Sequence, residues 1–189
     1  MSEPTTTKTL PDKKQQKKGA GLYVLSIITR KVVLPFNSIG SNITSLLQKK
    51  LSQDLEGKCS IEGFIKDNSV RVINYSSGVL KSDKVLFDVS IECLICSPVE
   101  GMKFKVNVVN ITKAGLRCDR GKNSPVDVFV ARDHHYSSKH FNNIKVGDSI
   151  LIRIIGQRYE INDERISVIA EFIPQIKRKS KQIKLVLTE

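Results

Sequence analysis

Residues 97–119 read SPVEGMKFKVNVVNITKAGLRCD, and this stretch decides how the second half of the chain folds. It begins with a hinge at Pro98, continues into a run where apolar and polar side chains alternate, and reaches a glycine turn before a second strand. Such alternation is typical of a β-strand with one buried face and one exposed face. The exposed face is basic, which makes it a candidate surface for nucleic acid. The apolar face comprises Phe104, Val106 and Val108, and the polar face comprises Lys103, Lys105 and Asn107.

The segments that follow predict the rest of a small barrel. Residues 125–132, 149–159 and 165–172 have strand-like composition, and the polar turn Asn162-Asp163-Glu164 joins the last two. With the two strands of residues 97–119 they make five, interrupted by one long loop. Five strands in this arrangement predict a C-terminal OB-fold β-barrel.

The first half of the chain has a different pattern. Residues 22–34 predict a strand, and Ser41 is a candidate N-cap for the amphipathic helix that follows, which Gly57 ends. Residues 58–65, 70–75 and 84–95 predict three further strands. The fold class is therefore α+β, with one helix on an antiparallel sheet. The apolar stripe of the helix comprises Ile43, Leu46, Leu47, Leu51 and Leu55.

A proline directly after the last of these strands marks the seam between the halves, because proline cannot donate to a sheet ladder. We therefore divide the chain into four parts. These are a flexible basic arm at residues 1–21, an N-terminal domain at 22–97, an OB domain at 98–173 and a basic tail at 174–189.

The net charge of +12 lies largely in the terminal segments. Residues 1–20 contain five lysines against two carboxylates, and residues 173–189 contain five basic residues against Glu189. About +5 remains on the body between them. Such segments attract phosphate backbones without reading sequence, and solubility or a localisation signal is the alternative explanation.

Targeting and membrane signals are absent from the sequence. The longest apolar run, at residues 85–95, carries Asp88 and Glu92 and is shorter than the ~20 residues of a membrane helix. The first twenty residues lack the apolar core of a signal peptide. We expect no membrane partner, a location inside a cell or particle, and four reduced cysteines.

Candidate chemistry is sparse. Cys93 and Cys96 have a Cys-x-x-Cys spacing, with a zinc pair as the alternative interpretation, but residues three apart on a strand point to opposite faces. We interpret them as buried structural cysteines. Asp133, His134 and His135 accompany no nucleophile or metal motif, and no glycine-rich phosphate loop precedes a helix. We therefore expect no catalytic site, no metal and no cofactor.

The barrel is predicted to bind single-stranded RNA with little sequence selectivity and a strong dependence on salt. The reason is that basic side chains outnumber aromatic ones among its candidate RNA-binding residues. A histidine at the end of a strand can also stack on a base. The predicted RNA-binding residues are Lys103, Lys105, Arg117, Phe129, Arg132 and His134.

The order and spacing of several segments resemble one family, the stalk subunit of multisubunit RNA polymerases, which is the seventh subunit of RNA polymerase II and has a counterpart in archaea. The resemblance covers residues 22–173, and it depends on two unlike domains occurring in this order. The segments are Glu56-Gly57-Lys58-Cys59, Gly63-Phe64-Ile65, Ser77-Gly78-Val79-Leu80, Pro98-Val99-Glu100-Gly101, Gly147-Asp148-Ser149-Ile150 and Ile155-Gly156.

The resemblance implies a non-catalytic chain. Its N-terminal domain would be an RNP-like tip that docks on core subunits at the base of the polymerase clamp, and its OB domain would lie near the emerging transcript. A small helical partner subunit would bind along the junction of the two domains. Leu116 stands where many such OB modules have an aromatic, which implies weak base stacking there. The implied docking loop comprises Asn74, Tyr75, Ser76, Ser77, Gly78, Val79 and Leu80.

Two functions from different classes remain open at this point. The first is a transcription subunit of a DNA-directed RNA polymerase, and the alternative is a free-standing OB-fold protein in translation or RNA decay. A cellular subunit would be nuclear, whereas one encoded by a large DNA virus would lie in a cytoplasmic factory or in the virion.

Overall fold

The computed structural model describes residues 21–40, 42–121, 124–135 and 139–174. Within these ranges the chain forms a six-stranded antiparallel sheet with one main helix, followed by a closed five-stranded barrel. This confirms the α+β fold class. The strands of the sheet are β1 (Tyr23–Pro35), β2 (Cys59–Ser60), β3 (Gly63–Ile65), β4 (Arg71–Tyr75), β5 (Val79–Lys81) and β6 (Lys84–Cys96).

Two long strands form the frame of the sheet. β1 and β6 pair antiparallel along all 13 residues of each, from Tyr23 opposite Cys96 to Pro35 opposite Lys84. The other edge of β6 pairs in turn with β3, β4 and β5. Alternate β6 residues from Val85 to Ile95 are buried, so one face of this strand forms the core of the sheet.

Helix α1 (Ile43–Leu55) covers that face. Leu47 and Leu51 of its apolar stripe are buried against the sheet, and the chain leaves the helix through Gly57 at φ 73°. The side chain of Gln48 ties the helix to β4, because its amide donates to the Val70 carbonyl and accepts from the backbone N–H of Val72. Ser41, the predicted N-cap, lies outside the described residues.

The barrel has the strand order β10-β11-β9-β8-β7, and β10 pairs with β7 to close it. β9 and β11 are parallel, and every other pair is antiparallel. A short helix, α2 (Lys139–Asn142), lies between β9 and β10. This topology confirms the predicted OB fold. The strands are β7 (Lys103–Ile111), β8 (Gly115–Asp119), β9 (Val126–Ala131), β10 (Ser149–Arg158) and β11 (Ile166–Ile173).

Two local predictions were wrong. Residues 58–65 do not form one strand, because the chain turns at 61–62 and pairs β2 with β3 as a hairpin. Gly63, at φ 133°, lies so close to β6 that an added Cβ would be 2.5 Å from the Cys96 carbonyl oxygen. Strand β5 was not predicted; it joins β6 through a tight turn in which Ser82 has φ 56°.

The two halves share part of one core and are also joined by backbone hydrogen bonds. Four residues from the first half pack into the barrel cluster: Leu22, Cys59, Phe64 and Cys96. The N–H of Cys59 donates to the carbonyl of Asp163 at 2.8 Å, and the N–H of Asn162 donates to the carbonyl of Cys59 at 2.8 Å. The β10–β11 turn is therefore bonded to the β2–β3 hairpin.

Candidate nucleic-acid interface

The first strand of the barrel has the alternating faces that its sequence indicates. Phe104, Val106 and Val108 are buried, whereas Lys103 and Lys105 are exposed. The two lysines lie opposite β10, with Lys103 beside Arg153 and Lys105 beside Leu151. Among the described residues, neither lysine is within ion-pair distance of a carboxylate. The carboxylate of Glu171 on the neighbouring strand pairs with Arg153. Both ammonium groups are available to an anion.

Arg117 on β8 and Phe129 on β9 are directly opposite each other on the outer face. Gly115 allows this part of the barrel to pack closely, because a Cβ there would lie 2.2 Å from the Val130 carbonyl oxygen and 3.0 Å from Cζ of Phe129. Ile169, which is 51% exposed, pairs with Phe129 from the other side. A half-buried ring between an exposed arginine and an exposed aliphatic side chain can accept a stacked base.

The predicted RNA-binding residues therefore form separate groups. Arg117 lies opposite Asn110, which is five positions beyond Lys105 along β7. At about 3.3 Å per residue this places Lys105 roughly 17 Å, and Lys103 roughly 23 Å, from the arginine and its neighbouring ring. An extended strand of several nucleotides could contact both groups, whereas one nucleotide could not.

Arg132 and His134 lie on the 3-10 turn that follows β9. The Arg132 guanidinium donates to the Thr112 carbonyl and lies 6.0 Å from the centre of the Phe141 ring, so it faces the end of the barrel. His134 is exposed. Arg132, a predicted RNA-binding residue, therefore also makes structural contacts with Thr112 and Phe141.

The sequence reasoning missed the role of the next residue, His135. Its ring stacks on Phe141 at 4.9 Å, and its Nε2 accepts a hydrogen bond from the N–H of Phe172 at 2.8 Å. Burial lowers the pKa of His135, although the nearby Glu171 acts in the opposite direction. This histidine closes the barrel end as a neutral acceptor.

A second missed feature is a carboxylate between two arginines. Asp127 accepts from Arg165 Nη1 at 2.5 Å and lies 3.6 Å from Nη2 of Arg117. The arrangement depends on the parallel pairing of β9 with β11, which brings Arg165 beside Asp127. No local sequence signal predicts that pairing.

Two expectations about single residues can be compared with the structure. Leu116, where the resemblance implied weak base stacking, is buried in the barrel core, so its side chain offers no surface to a base. Cys93 and Cys96 are both buried but belong to different core clusters, one under α1 and the other at the barrel junction. Burial raises the pKa of the Cys96 thiol to about 12. Within the described ranges, no three His, Cys, Asp or Glu side chains are grouped to hold a metal.

The predicted docking loop is mostly strand. Asn74 and Tyr75 end β4, Val79 and Leu80 begin β5, and only residues 76–78 connect them. The ring of Tyr75 contacts Phe87 edge to face at 6.2 Å. Gly78 is packed so closely that a Cβ would lie 2.6 Å from Cγ1 of Val85. This connection is therefore a fixed part of the sheet.

Three apolar side chains project from the same end of the sheet. Phe36, Val79 and Leu80 are 59%, 61% and 63% exposed. Phe36 and Leu80 line a cavity of about 310 Å³ beside the turn between β5 and β6. We call these three residues the docking end. None of the helices in the described part of the chain is both long and apolar enough to cross a membrane.

No protein-family model matches the chain. An Acanthamoeba polyphaga mimivirus protein named as DNA-directed RNA polymerase subunit L376 is 28% identical over 169 residues, covering 80% of this chain and 82% of that protein. DNA-directed RNA polymerase II subunit RPB7 of Glycine max is 25% identical over 154 residues, covering 72% and 85% of the two chains.

Among solved structures, the uncharacterized protein MJ1198 from Methanocaldococcus jannaschii is 23% identical with a TM-score of 0.34, and the alignment covers 42% of this chain and 97% of that one. GSP13 from Bacillus subtilis is 12% identical with a TM-score of 0.33, and the coverage is 48% and 73%. The likeness to the two polymerase subunits confirms the resemblance inferred from the sequence. Over most of its length the chain is similar to DNA-directed RNA polymerase subunits, one from a mimivirus and one the RPB7 subunit of a plant.

Proposed function

We propose that the chain is a non-catalytic stalk subunit of a DNA-directed RNA polymerase, docking through its N-terminal domain and contacting nascent single-stranded RNA through its barrel. The observation that carries the proposal is the likeness to two RNA polymerase subunits, one viral and one plant, over 80% and 72% of the chain. Residues 22–97 would be the tip domain and 98–173 the RNA-binding domain, with basic segments at 1–21 and 174–189.

The core-docking surface is assigned to residues 74–80 together with Phe36. Exposed apolar side chains at one end of a sheet are typical of a protein interface. Within the surface, Val79 and Leu80 offer area to a partner, whereas Tyr75 and Gly78 hold the backbone in place through Phe87 and Val85. Burying Val79 and Leu80 would contribute about 2–4 kcal/mol together.

The docking proposal is tested by replacing Val79 and Leu80 with serine in the tagged full-length chain. The affinity of this variant for the polymerase purified from its native source should fall by roughly 30- to 1000-fold, so that little or no polymerase is recovered with it. Val146→Ser is the control, because this valine is 60% exposed but lies on a barrel turn. Equal recovery of polymerase with both proteins would refute the assignment.

The RNA surface is assigned to Lys103, Lys105, Arg117, Phe129, Arg132 and His134. Its support is the two exposed lysines on β7 and the exposed arginine beside a half-buried ring on β8 and β9. Because these groups are about 17 Å apart, the ligand would be an extended strand of several nucleotides. Affinity should depend strongly on salt and weakly on sequence.

The RNA proposal is tested on a protein trimmed to residues 22–173, which removes the basic ends. Lys105→Ala with Arg117→Ala should weaken binding of a fluorescent oligoribonucleotide and reduce the salt slope by roughly 0.7 for each lost phosphate contact. Lys49→Ala with Arg71→Ala removes the same charges from the N-terminal half. If both double variants bind equally, RNA contact belongs elsewhere in the chain.

A helical partner subunit is proposed for the junction of the halves. A cavity of about 620 Å³ opens there, lined from the first half by Tyr23 and Lys66 and from the barrel by Pro125 and Arg165. Co-purified small chains should dissociate when this cavity is altered by Tyr23→Ala.

The protein would be nuclear in a cell, or located in a cytoplasmic factory or virion if viral. Binding of RNA without co-purifying polymerase would favour the free-standing alternative.

A further inference from the structure

We propose that Arg117 and Arg165 form a clamp for one RNA backbone phosphate, and that Asp127 occupies this clamp in the free protein as an internal competitor. The inference rests on the proposed RNA-binding function and adds to it a new contact residue and a device that limits affinity. We call the three residues the guarded clamp.

The geometry of the guarded clamp resembles that of an arginine pair around a phosphate. One carboxylate oxygen of Asp127 accepts from Arg165 Nη1 at 2.5 Å, and the other lies 3.6 Å from Nη2 of Arg117. Guanidinium groups bind carboxylate and phosphate oxygens through the same planar set of donors. An anion that displaces the carboxylate would find both donors already converging.

Exposure permits the exchange. The side chains of Arg117 and Arg165 are 64% and 45% exposed, whereas that of Asp127 is 28% exposed. The longer contact is the one to Arg117, so this guanidinium is the freer of the two. Exposed ion pairs typically contribute only ~0.2–1 kcal/mol, which a phosphate carrying a full charge can replace.

The clamp is adjacent to the stacking surface. Phe129 is two residues beyond Asp127 on the same outer face of β9, and Arg117 is the cross-strand partner of Phe129. A nucleotide whose base stacks on this ring would therefore place its phosphate near Arg117. The three residues come from β8, β9 and the entry to β11, so correct folding of the barrel assembles them.

The environment explains why the guard reduces affinity. Asp119 lies directly opposite Asp127 and adds a second carboxylate to this face, although its Oδ1 is engaged by the N–H of Gly121 at 3.1 Å. Together, two carboxylates and two guanidiniums leave the surface near neutral. Removing the charge of Asp127 would leave the two arginines in excess.

The test compares Asp127→Asn with wild type in the full-length chain, using a fluorescent single-stranded oligoribonucleotide across a salt series. Asparagine keeps the shape of the side chain and removes its charge. We expect RNA affinity at low salt to rise about 3- to 10-fold and the salt slope to steepen by roughly 0.7–1.4, because one or two further phosphates are contacted. Asp54→Asn is the control, since it removes the same charge from an ion pair with Lys50 on α1 and leaves the three residues of the guarded clamp unchanged.

A triple variant separates the clamp from net charge. Adding Arg117→Ala and Arg165→Ala to Asp127→Asn should abolish the gain, whereas a gain that persists would overturn the clamp. Unchanged or weaker binding by Asp127→Asn relative to Asp54→Asn, with wild type binding normally, would overturn the guard and leave RNA binding intact. If neither wild type nor Asp127→Asn binds RNA, both the clamp and the proposed RNA function are wrong. Thermal unfolding of each variant verifies that the barrel is folded.

Discussion

Shortening Phe141 to alanine should destabilise the barrel far more than its place on a four-residue helix suggests. The side chain is 2% exposed, and its ring stacks on His135 at 4.9 Å and meets Phe172 at 6.2 Å. Removing a buried phenylalanine in such a setting costs about 3–5 kcal/mol. For a chain of this length the melting temperature should fall by roughly 6–20 °C.

The measurement is urea and thermal unfolding followed by circular dichroism, with Phe36→Ala as the control. Phe36 is 59% exposed, so its removal should change the free energy of unfolding by less than about 0.5 kcal/mol. The Phe141 variant should also bind RNA less well, because Arg132 packs on the same ring. A loss of less than about 1 kcal/mol for Phe141→Ala would refute the reasoning that the Phe141 ring is a packed part of the barrel core.

Three further outcomes are expected. Because burial lowers the pKa of His135 in the folded state, the unfolded chain takes up the proton first as the pH falls below about 6.5. Stability should therefore decrease from pH 7 towards pH 5, and His135→Gln, which keeps an acceptor for the Phe172 N–H, should flatten that part of the curve. Gly115→Ala should reduce the melting temperature sharply, since its Cβ would lie 2.2 Å from a backbone oxygen of Val130; an unchanged melting curve would contradict the close packing of β8 on β9. The four buried thiols should react with a thiol reagent only after unfolding, because burial raises the pKa of Cys96, for example, to about 12; rapid labelling of the native protein would show that the core is open.

The strands that follow a simple alternation were predictable. Lys103 to Val108 alternates strictly, and the structure buries the apolar members and exposes the lysines. The helix was predictable too, because the apolar side chains that precede Gly57 recur with the 3.6-residue period of an α-helix and not with the two-residue period of a strand. In both cases the local pattern agrees with the burial that the fold imposes.

The parts that were not predictable depend on tertiary contacts. The break between β2 and β3 reflects the backbone bonds that Cys59 makes to the β10–β11 turn, about a hundred residues away. The guarded clamp requires β9 to lie parallel to β11, which side-chain periodicity does not encode. By contrast, β5 had a weak local signal, because Ser82-Asp83 are turn-forming residues that lie between two short apolar runs.

Strand β6 connects the barrel junction to the docking end without interruption. Its last residue, Cys96, packs in the barrel cluster, and its first, Lys84, pairs with Pro35 beside the exposed Phe36. Thirteen residues of extended chain span about 40 Å. The backbone hydrogen bonds between Cys59 and the β10–β11 turn hold the barrel against the sheet, so the two halves are joined rigidly and not by a flexible linker. If the sheet docks on a polymerase core as proposed, the angle of docking would therefore set both the distance and the direction at which the barrel is held.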